Sequence, residues 1–407
     1  MAIDFIADSP GVTDAAGFAA GAVACDIREK NSDRLDLTLV RSTAPCTAAG
    51  VFTRNDVKAA PVRICVEVLK SGAPIHGFVA NSGNANACTG PQGMHDAQMM
   101  VARAARAANT PTGSMLVCST GRIGRLLPLT RILHGIDHAA TALGTTPADG
   151  RHSANAILTS DTRTKTCTAR FSWQGKTVNL AAMAKGAGMI QPDMATMLAF
   201  ICTDAAVPTA LLHELLREGV RRTFNAITVD GDMSTNDTVL LLANGASGFD
   251  LGAAPAEARA VFARALHQVC DHLATRIVSD GEKISKVVEV VVRGAPDEAA
   301  AEKVARAIGN SLLVKSSWCG EDPNWGRLTD AAGYARVGLV EEKLDLFYDE
   351  SPVLLAGTPH PENLERWKAI VRQPRFRITL DLRLGPGAFR LLASDLTEGY
   401  VTYNKSE

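Results

Sequence analysis

Apolar positions along this chain fall into two kinds of segment. Short apolar runs bounded by glycine, proline or polar turns predict strands at Arg34–Val40, Ile75–Ala80, Ser114–Cys118, Thr166–Ser172, Thr177–Ala182, Met197–Cys202, Val239–Ala243, Val287–Val292, Arg377–Leu382 and Arg390–Ala393. Longer amphipathic stretches predict helices at His95–Ala108, Leu127–Leu143, Thr209–Thr223, Pro255–Val278, Asp297–Ser311 and Pro361–Arg372. Pro255 suits the first turn of its helix, the longest helical pattern in the chain. The two kinds of element alternate without an internal repeat or a low-complexity linker, which predicts an α/β chain of the α+β type, sheets packed with helices.

Composition narrows the function more than the fold. With 407 residues, 46% hydrophobic and 21% charged, the chain has ample material for a core. Lys plus Arg number 42 against 43 Asp plus Glu, and this even balance offers nothing to a nucleic acid or a membrane surface, leaving small molecules as partners. The N-terminus lacks a basic segment leading into an apolar run, and the Ala- and Gly-rich stretch Ala15–Cys25 is too short to span a bilayer. Nine cysteines are scattered and never spaced CxxC, so reduced thiols and a cytoplasmic setting are expected.

Four turns set between apolar runs are rich in small or polar residues: NSGNANACTG (Asn81–Gly90), STGRIG (Ser119–Gly124), AKGAGMIQPDMATML (Ala184–Leu198) and SSWCGEDPNWGR (Ser316–Arg327). Such loops bring backbone amides to ligands, and they also serve as ordinary tight turns. In the third, a proline-punctuated turn leads to Thr196 at the start of a buried strand, a common place for threonine.

That third segment closely resembles the self-cleavage motif of the ornithine acetyltransferase family (glutamate N-acetyltransferase, the ArgJ family). AAGVFTRNDVKAAPV (Ala48–Val62), NSGNANACTG, STGRIG, LTSDTRTK (Leu158–Lys165), SDGEKISK (Ser279–Lys286) and SSWCGEDPNWGR also resemble family blocks, in family order, over nearly the whole chain. The resemblance implies two stacked β layers flanked by helices, in a self-cleaving fold with an N-terminal nucleophile. It implies a cut between Ala195 and Thr196, giving an α chain of residues 1–195 and a β chain of residues 196–407 that assemble as an α2β2 heterotetramer. It implies acetyl transfer from N2-acetyl-L-ornithine to L-glutamate in arginine biosynthesis, with no cofactor, because the donor is itself an amide.

The chemistry of such a site is coherent. A threonine hydroxyl needs a nearby base, and cleavage supplies one as the new α-amine of Thr196, with an ordinary pKa of about 7.7–8.0. Family positions for the oxyanion hole map onto Thr120 and Gly121, where a hydroxyl and a backbone amide would meet the developing charge. Substrate-binding positions map onto Thr159, Lys185, Thr196, Glu282 and Asn404. Lys185 would pair with a carboxylate and depress the Thr196 amine by like-charge repulsion; Glu282 would hold an amine. The sequence departs from the family pattern after Glu282, where Lys283-Ile284-Ser285-Lys286 stands in place of Gly-Ala-Thr-Lys. It also stops soon after Asn404, which leaves Ser406 as a substitute hydroxyl.

Other constellations are weaker. Asp230 and Asp232 in TVDGDMSTND read either as a metal or acid–base pair or as an Asx-rich turn, with the turn favoured. His95, His134, His138 and His152 lie in or near predicted helices or loops without further ligand partners, so no metal is expected, and neither GxxxxGK[ST] nor a strand–GxGxxG–helix setting is present. Rival functions are a bifunctional enzyme that also takes acetyl-CoA, a self-cleaving aminopeptidase or amidohydrolase, and an uncleaved binding protein.

Overall fold

A computed structural model describes residues 2–191 and 197–405. Ala195, Thr196 and Ser406 lie outside the described residues. The chain forms two compact units, one made of Met1–Gly186, Pro192–Asn225 and Met233–Ile277, the other of Ala187–Gln191, Ala226–Asp232 and Val278–Glu407. Neither unit is a continuous stretch, so these folding units are not the two chains that a cut before Thr196 would leave.

In the first unit, the described strands hydrogen-bond in the order Asp4–Ala7, Lys165–Trp173, Lys176–Lys185, Leu198–Thr203, Thr238–Ala243, Leu37–Phe52, Ile75–Asn81 and Met115–Ser119, and Phe18–Val23 also joins Leu37–Phe52. The long Leu37–Phe52 strand pairs with Phe18–Val23 and Ile75–Asn81 along its first part and with Thr238–Ala243 along its second. Its register with Ile75–Asn81 shifts between Arg41 and Cys46, and such an irregularity bends a strand. One hydrogen-bonded path thereby becomes two layers with facing side chains. Phe78 from one layer stacks on Phe200 from the other, centroids 4.2 Å apart and planes 7° from parallel.

Helices cover the outer faces. Ala60–Lys70, Gly90–Ala107 and Leu129–Thr141 pack on one layer. On the other, Ala256–Val278 sets Phe262 edge-on to Phe171 at 6.5 Å and receives the Cys167 thiol at the Val269 carbonyl. Strands covered on both sides read as unbroken apolar runs. Leu198–Thr203 and Thr238–Ala243 are buried at every position, and they pair in parallel from Leu198 opposite Thr238. The expected pair of stacked β layers flanked by helices is the architecture of this unit.

The second unit holds a seven-stranded sheet with Val287–Ala295 between Arg375–Asp381 and Gly387–Ser394. Glu298–Asn310 buries Ala301, Val304, Ala305 and Ile308, a helical repeat that lays one stripe on this sheet. Trp318, Tyr348, Trp367 and Phe376 fill its core.

Five of the described α-helices were not anticipated: Ala60–Lys70, Pro147–Ala156, Leu312–Cys319, Trp325–Tyr334 and Glu398–Asn404. The SSWCGEDPNWGR turn is corrected too, since its first residues end the Leu312–Cys319 helix and its last residues begin Trp325–Tyr334. Side-chain caps drive this: Ser311 accepts from the Val314 amide and Asn324 from the Arg327 amide, starting short helices inside a polar-looking stretch. The Pro361–Arg372 helix divides into a 3-10 turn at Pro361–Asn363 and a helix at Leu364–Val371.

Candidate functional site

Lys185 is the last residue of the Lys176–Lys185 strand and only 4% exposed. Taken alone a lysine is expected in solvent; here the strand end carries it inside. It faces Asp161, Nζ to Oδ2 at 3.8 Å. Asp161 is a hub, because its Oδ1 accepts from Lys165 Nζ at 2.6 Å and from the Gly186 amide at 2.6 Å, and its Oδ2 from the Thr159 amide at 3.0 Å. Burial alone would push the Asp161 carboxyl up, but the Lys185 and Lys165 charges and these hydrogen bonds hold it well below the usual carboxylate range. Thr159 and Lys185, both expected to touch substrate, are thus gathered around one buried carboxylate.

Thr120 and Gly121 follow the Met115–Ser119 strand. The Thr120 amide donates to the Asn81 carbonyl at 3.0 Å, so the side-chain hydroxyl is the donor Thr120 can offer a ligand. Gly121 has φ +135, and a Cβ there would collide with the backbone of Gly83 and Asn84. The turn is braced by buried amides: Ser119 Oγ donates to Asn81 Oδ1 at 2.6 Å, and Asn84 Nδ2 to the Arg125 and Leu126 carbonyls at 3.2 and 3.0 Å.

The Thr228–Asp237 stretch contributes two residues that sequence reasoning passed over. Asn236 Nδ2 donates to the Ser119 carbonyl at 2.9 Å and to the Ala85 carbonyl at 2.6 Å. Asp237 Oδ1 accepts from the Met197 amide at 2.8 Å. Burial pushes the Asp237 carboxyl well up, against the pull of that amide and of the Lys185 charge. The signal was available, because a Thr-Asn-Asp run entering an apolar strand joins three hydrogen-bonding side chains to a buried element, yet it also reads as a plain turn.

Glu282 and Asn404 belong to the second unit. Asn404, at the end of the Glu398–Asn404 helix, donates from Nδ2 to Glu282 Oε2 at 3.2 Å. The Glu282 amide donates to the Ala187 carbonyl at 2.9 Å, and its carboxylate lies so close to Gly188 that a Cβ there would strike it. The divergent residues after Glu282 have their own partners, since the Ser285 and Lys286 amides both donate to Asp395 Oδ1, at 2.9 and 3.0 Å.

Asp230 caps a turn, as favoured. Its carboxylate accepts from the Met189, Ile190 and Asp232 amides at 2.6, 2.7 and 3.2 Å. It also accepts from Tyr400 Oη at 3.3 Å, and burial raises its pKa. Oxygens engaged in this way are organising backbone.

The ArgJ family model matches residues 19–406. The chain is 45% identical over 396 residues to the arginine biosynthesis bifunctional protein ArgJ of Symbiobacterium thermophilum, across 97% of this chain and 98% of that one. It is 43% identical over 389 residues to the protein of the same description from Geobacter sulfurreducens, across 95% and 98%. Among solved structures, it resembles the ornithine acetyltransferase of Mycobacterium tuberculosis complexed with ornithine, with 36% identity, 48% of this chain and 100% of that one covered, and a TM-score of 0.43.

Proposed function

This chain belongs to the ArgJ family, and from that premise we propose that it is a self-cleaving acetyltransferase moving acetyl from N2-acetyl-L-ornithine to L-glutamate. The observation that carries the reading is the family match over residues 19–406, joined by relatives described as arginine biosynthesis bifunctional proteins. The geometry supports it in one respect above all: Lys185 is a buried cation held by Asp161, suited to a small anionic substrate.

On this reading the Thr196 hydroxyl attacks the Ala195 carbonyl. The peptide C–N bond breaks, the hydroxyl proton passes to the departing nitrogen, and water hydrolyses the resulting ester. Thr196 is left with a free α-amine, which serves as base for transfer. That amine takes the hydroxyl proton as Oγ attacks the acetyl carbonyl of acetyl-ornithine, then gives it to the departing amine of ornithine. The neutral amine of glutamate attacks the acetyl-Thr196 ester, its proton returns to Oγ, and N-acetylglutamate leaves. The Thr120 hydroxyl and the Gly121 amide stabilise the oxyanions, a contribution of about 10²–10³ in rate for one such donor. Thr159 and Lys185 hold the substrate carboxylate side, and Glu282 with Asn404 holds an amine. The mature enzyme assembles as α2β2 in the cytoplasm. Acetyl-CoA serves as a second donor, a reading the relatives' description as bifunctional favours.

Intact-mass measurement of wild type beside Thr196→Ala tests the premise. Wild type is expected as two chains of roughly half the 43.0 kDa precursor each, the second starting at Thr196, and the variant as one. Acetyl-ornithine turnover with and without glutamate then separates transferase from hydrolase. A full-length wild type without turnover would place the chain among uncleaved binding proteins.

A further inference from the structure

Asn236 and Asp237 are consecutive residues with one anchor each, and the two anchors sit one peptide away from the two groups assigned to catalysis. Asn236 Nδ2 holds the Ser119 carbonyl, the acyl half of the peptide bond into Thr120. Asp237 Oδ1 holds the Met197 amide, the nitrogen half of the peptide bond leaving Thr196. Adjacent Cα atoms are separated by ~3.8 Å across a trans peptide, so the pair is a short, covalently rigid spacer between these two points. We infer that Asn236 and Asp237 are paired positioning residues that set the nucleophile Thr196 against the oxyanion-binding turn at Thr120.

The surroundings fix the spacer from several sides. Thr235 Oγ1 donates to Asn236 Oδ1 at 2.6 Å, which turns the Asn236 amide nitrogen towards its two carbonyls. The Thr53 amide donates to the Asp237 carbonyl at 2.9 Å, and the Thr238 amide to the Met197 carbonyl at 3.0 Å. Asn236 is 7% and Asp237 1% exposed, so water does not compete for either side chain.

The inference rests on the proposed function and deepens it, and full-length protein tests it. Asn236→Ala, Asp237→Ala and Asp237→Asn are followed beside wild type by intact mass over time, then by kcat and KM on the matured fraction with acetyl-ornithine and glutamate. Misplacement of a reacting group by an ångström costs about 10²-fold, so both alanine variants are expected to mature and turn over roughly 10²-fold more slowly. KM is expected to stay within about twofold, because the loss falls on the mutual placement of the reacting groups and not on ground-state binding. Asp237→Asn keeps an acceptor for the Met197 amide and is expected to recover at least about tenfold over Asp237→Ala. Wild-type rates in either alanine variant would overturn the inference, as would an Asp237→Asn as slow as Asp237→Ala or a loss carried by KM. Should Asp237→Ala not fold, Asn236→Ala decides by the same kcat-against-KM criterion. A wild type that neither cleaves nor transfers removes the proposed function itself, a different result from variants that match an active wild type.

Discussion

Lys165 Nζ donates to Asp161 Oδ1 at 2.6 Å with both side chains shut off from solvent, four residues apart in sequence. The same carboxylate meets Lys185 and the Gly186 amide, so a local pair organises a distant strand end.

Asp161→Asn is therefore expected to destabilise the fold by about 3–5 kcal/mol, the usual cost of removing one charge from a buried pair. The pH dependence has a definite sign. The folded carboxyl is held below its unfolded value, which is about 3.9, so its stabilisation is present above that pH and fades as pH falls towards the folded pKa. Denaturant unfolding of both proteins from pH 7 down to 3 reads this; equal stability at pH 7 would contradict it.

Lys315 is buried, its ammonium donates to the Ser394 carbonyl, and burial lowers its pKa to about 8 against the opposing charges of Asp230 and Asp395. The unfolded lysine titrates near 10.4. Between these values the unfolded chain binds more protons, so the Lys315 contribution to stability rises with pH, by up to about 1.4 kcal/mol per pH unit. Buried thiols such as Cys46 and Cys270, pushed up by burial, oppose this in the same range. The quantity to measure is the difference between wild type and Lys315→Met from pH 7.5 to 10. It should move in favour of wild type as pH rises, and a flat difference would refute the assignment.

Gly188→Ala places a methyl where the Glu282 carboxylate lies. Glu282 must move, and its contact with Asn404 moves with it. On the proposed reading KM for acetyl-ornithine rises about tenfold or more, equivalent to 1.4 kcal/mol, while the precursor still cleaves. An unchanged KM would remove Glu282 from the substrate contacts.

The oxyanion turn gives two contrasting variants. Thr120→Ala removes a hydroxyl and is expected to lower kcat by about 10²–10³ with the fold intact. Gly121→Ala forces a Cβ into the Gly83–Asn84 backbone at φ +135, so thermal unfolding should fall along with activity. Stability losses of equal size in both would argue that Thr120 is a structural cap.

Part of the site was legible from one dimension and part was not. Lys185 and Glu282 were singled out because they stand in segments that resemble family motifs, at positions where the family binds substrate; as isolated residues both read as surface charges. Asp161 stood within a motif already singled out, yet its role depends on Lys185 and Gly186, more than twenty positions away. Asn236 looked like a turn residue, because a turn and an anchor use the same side chain and differ only in which carbonyl is in reach.

By itself the sequence determined the elements whose period was long or strongly apolar. Leu198–Thr203 and Thr238–Ala243 are set by unbroken apolar runs and the Ala256–Val278 helix by helical spacing, which are properties of neighbours along the chain. It also determined the family, through motifs spread over nearly its whole length. Tertiary structure decided that the Leu37–Phe52 strand bends to serve two layers, that Lys185 is inside, and that Asn236 and Asp237 reach Ser119 and Met197. Burial and long-range hydrogen bonds depend on which segments meet in space, and no window of sequence contains both partners.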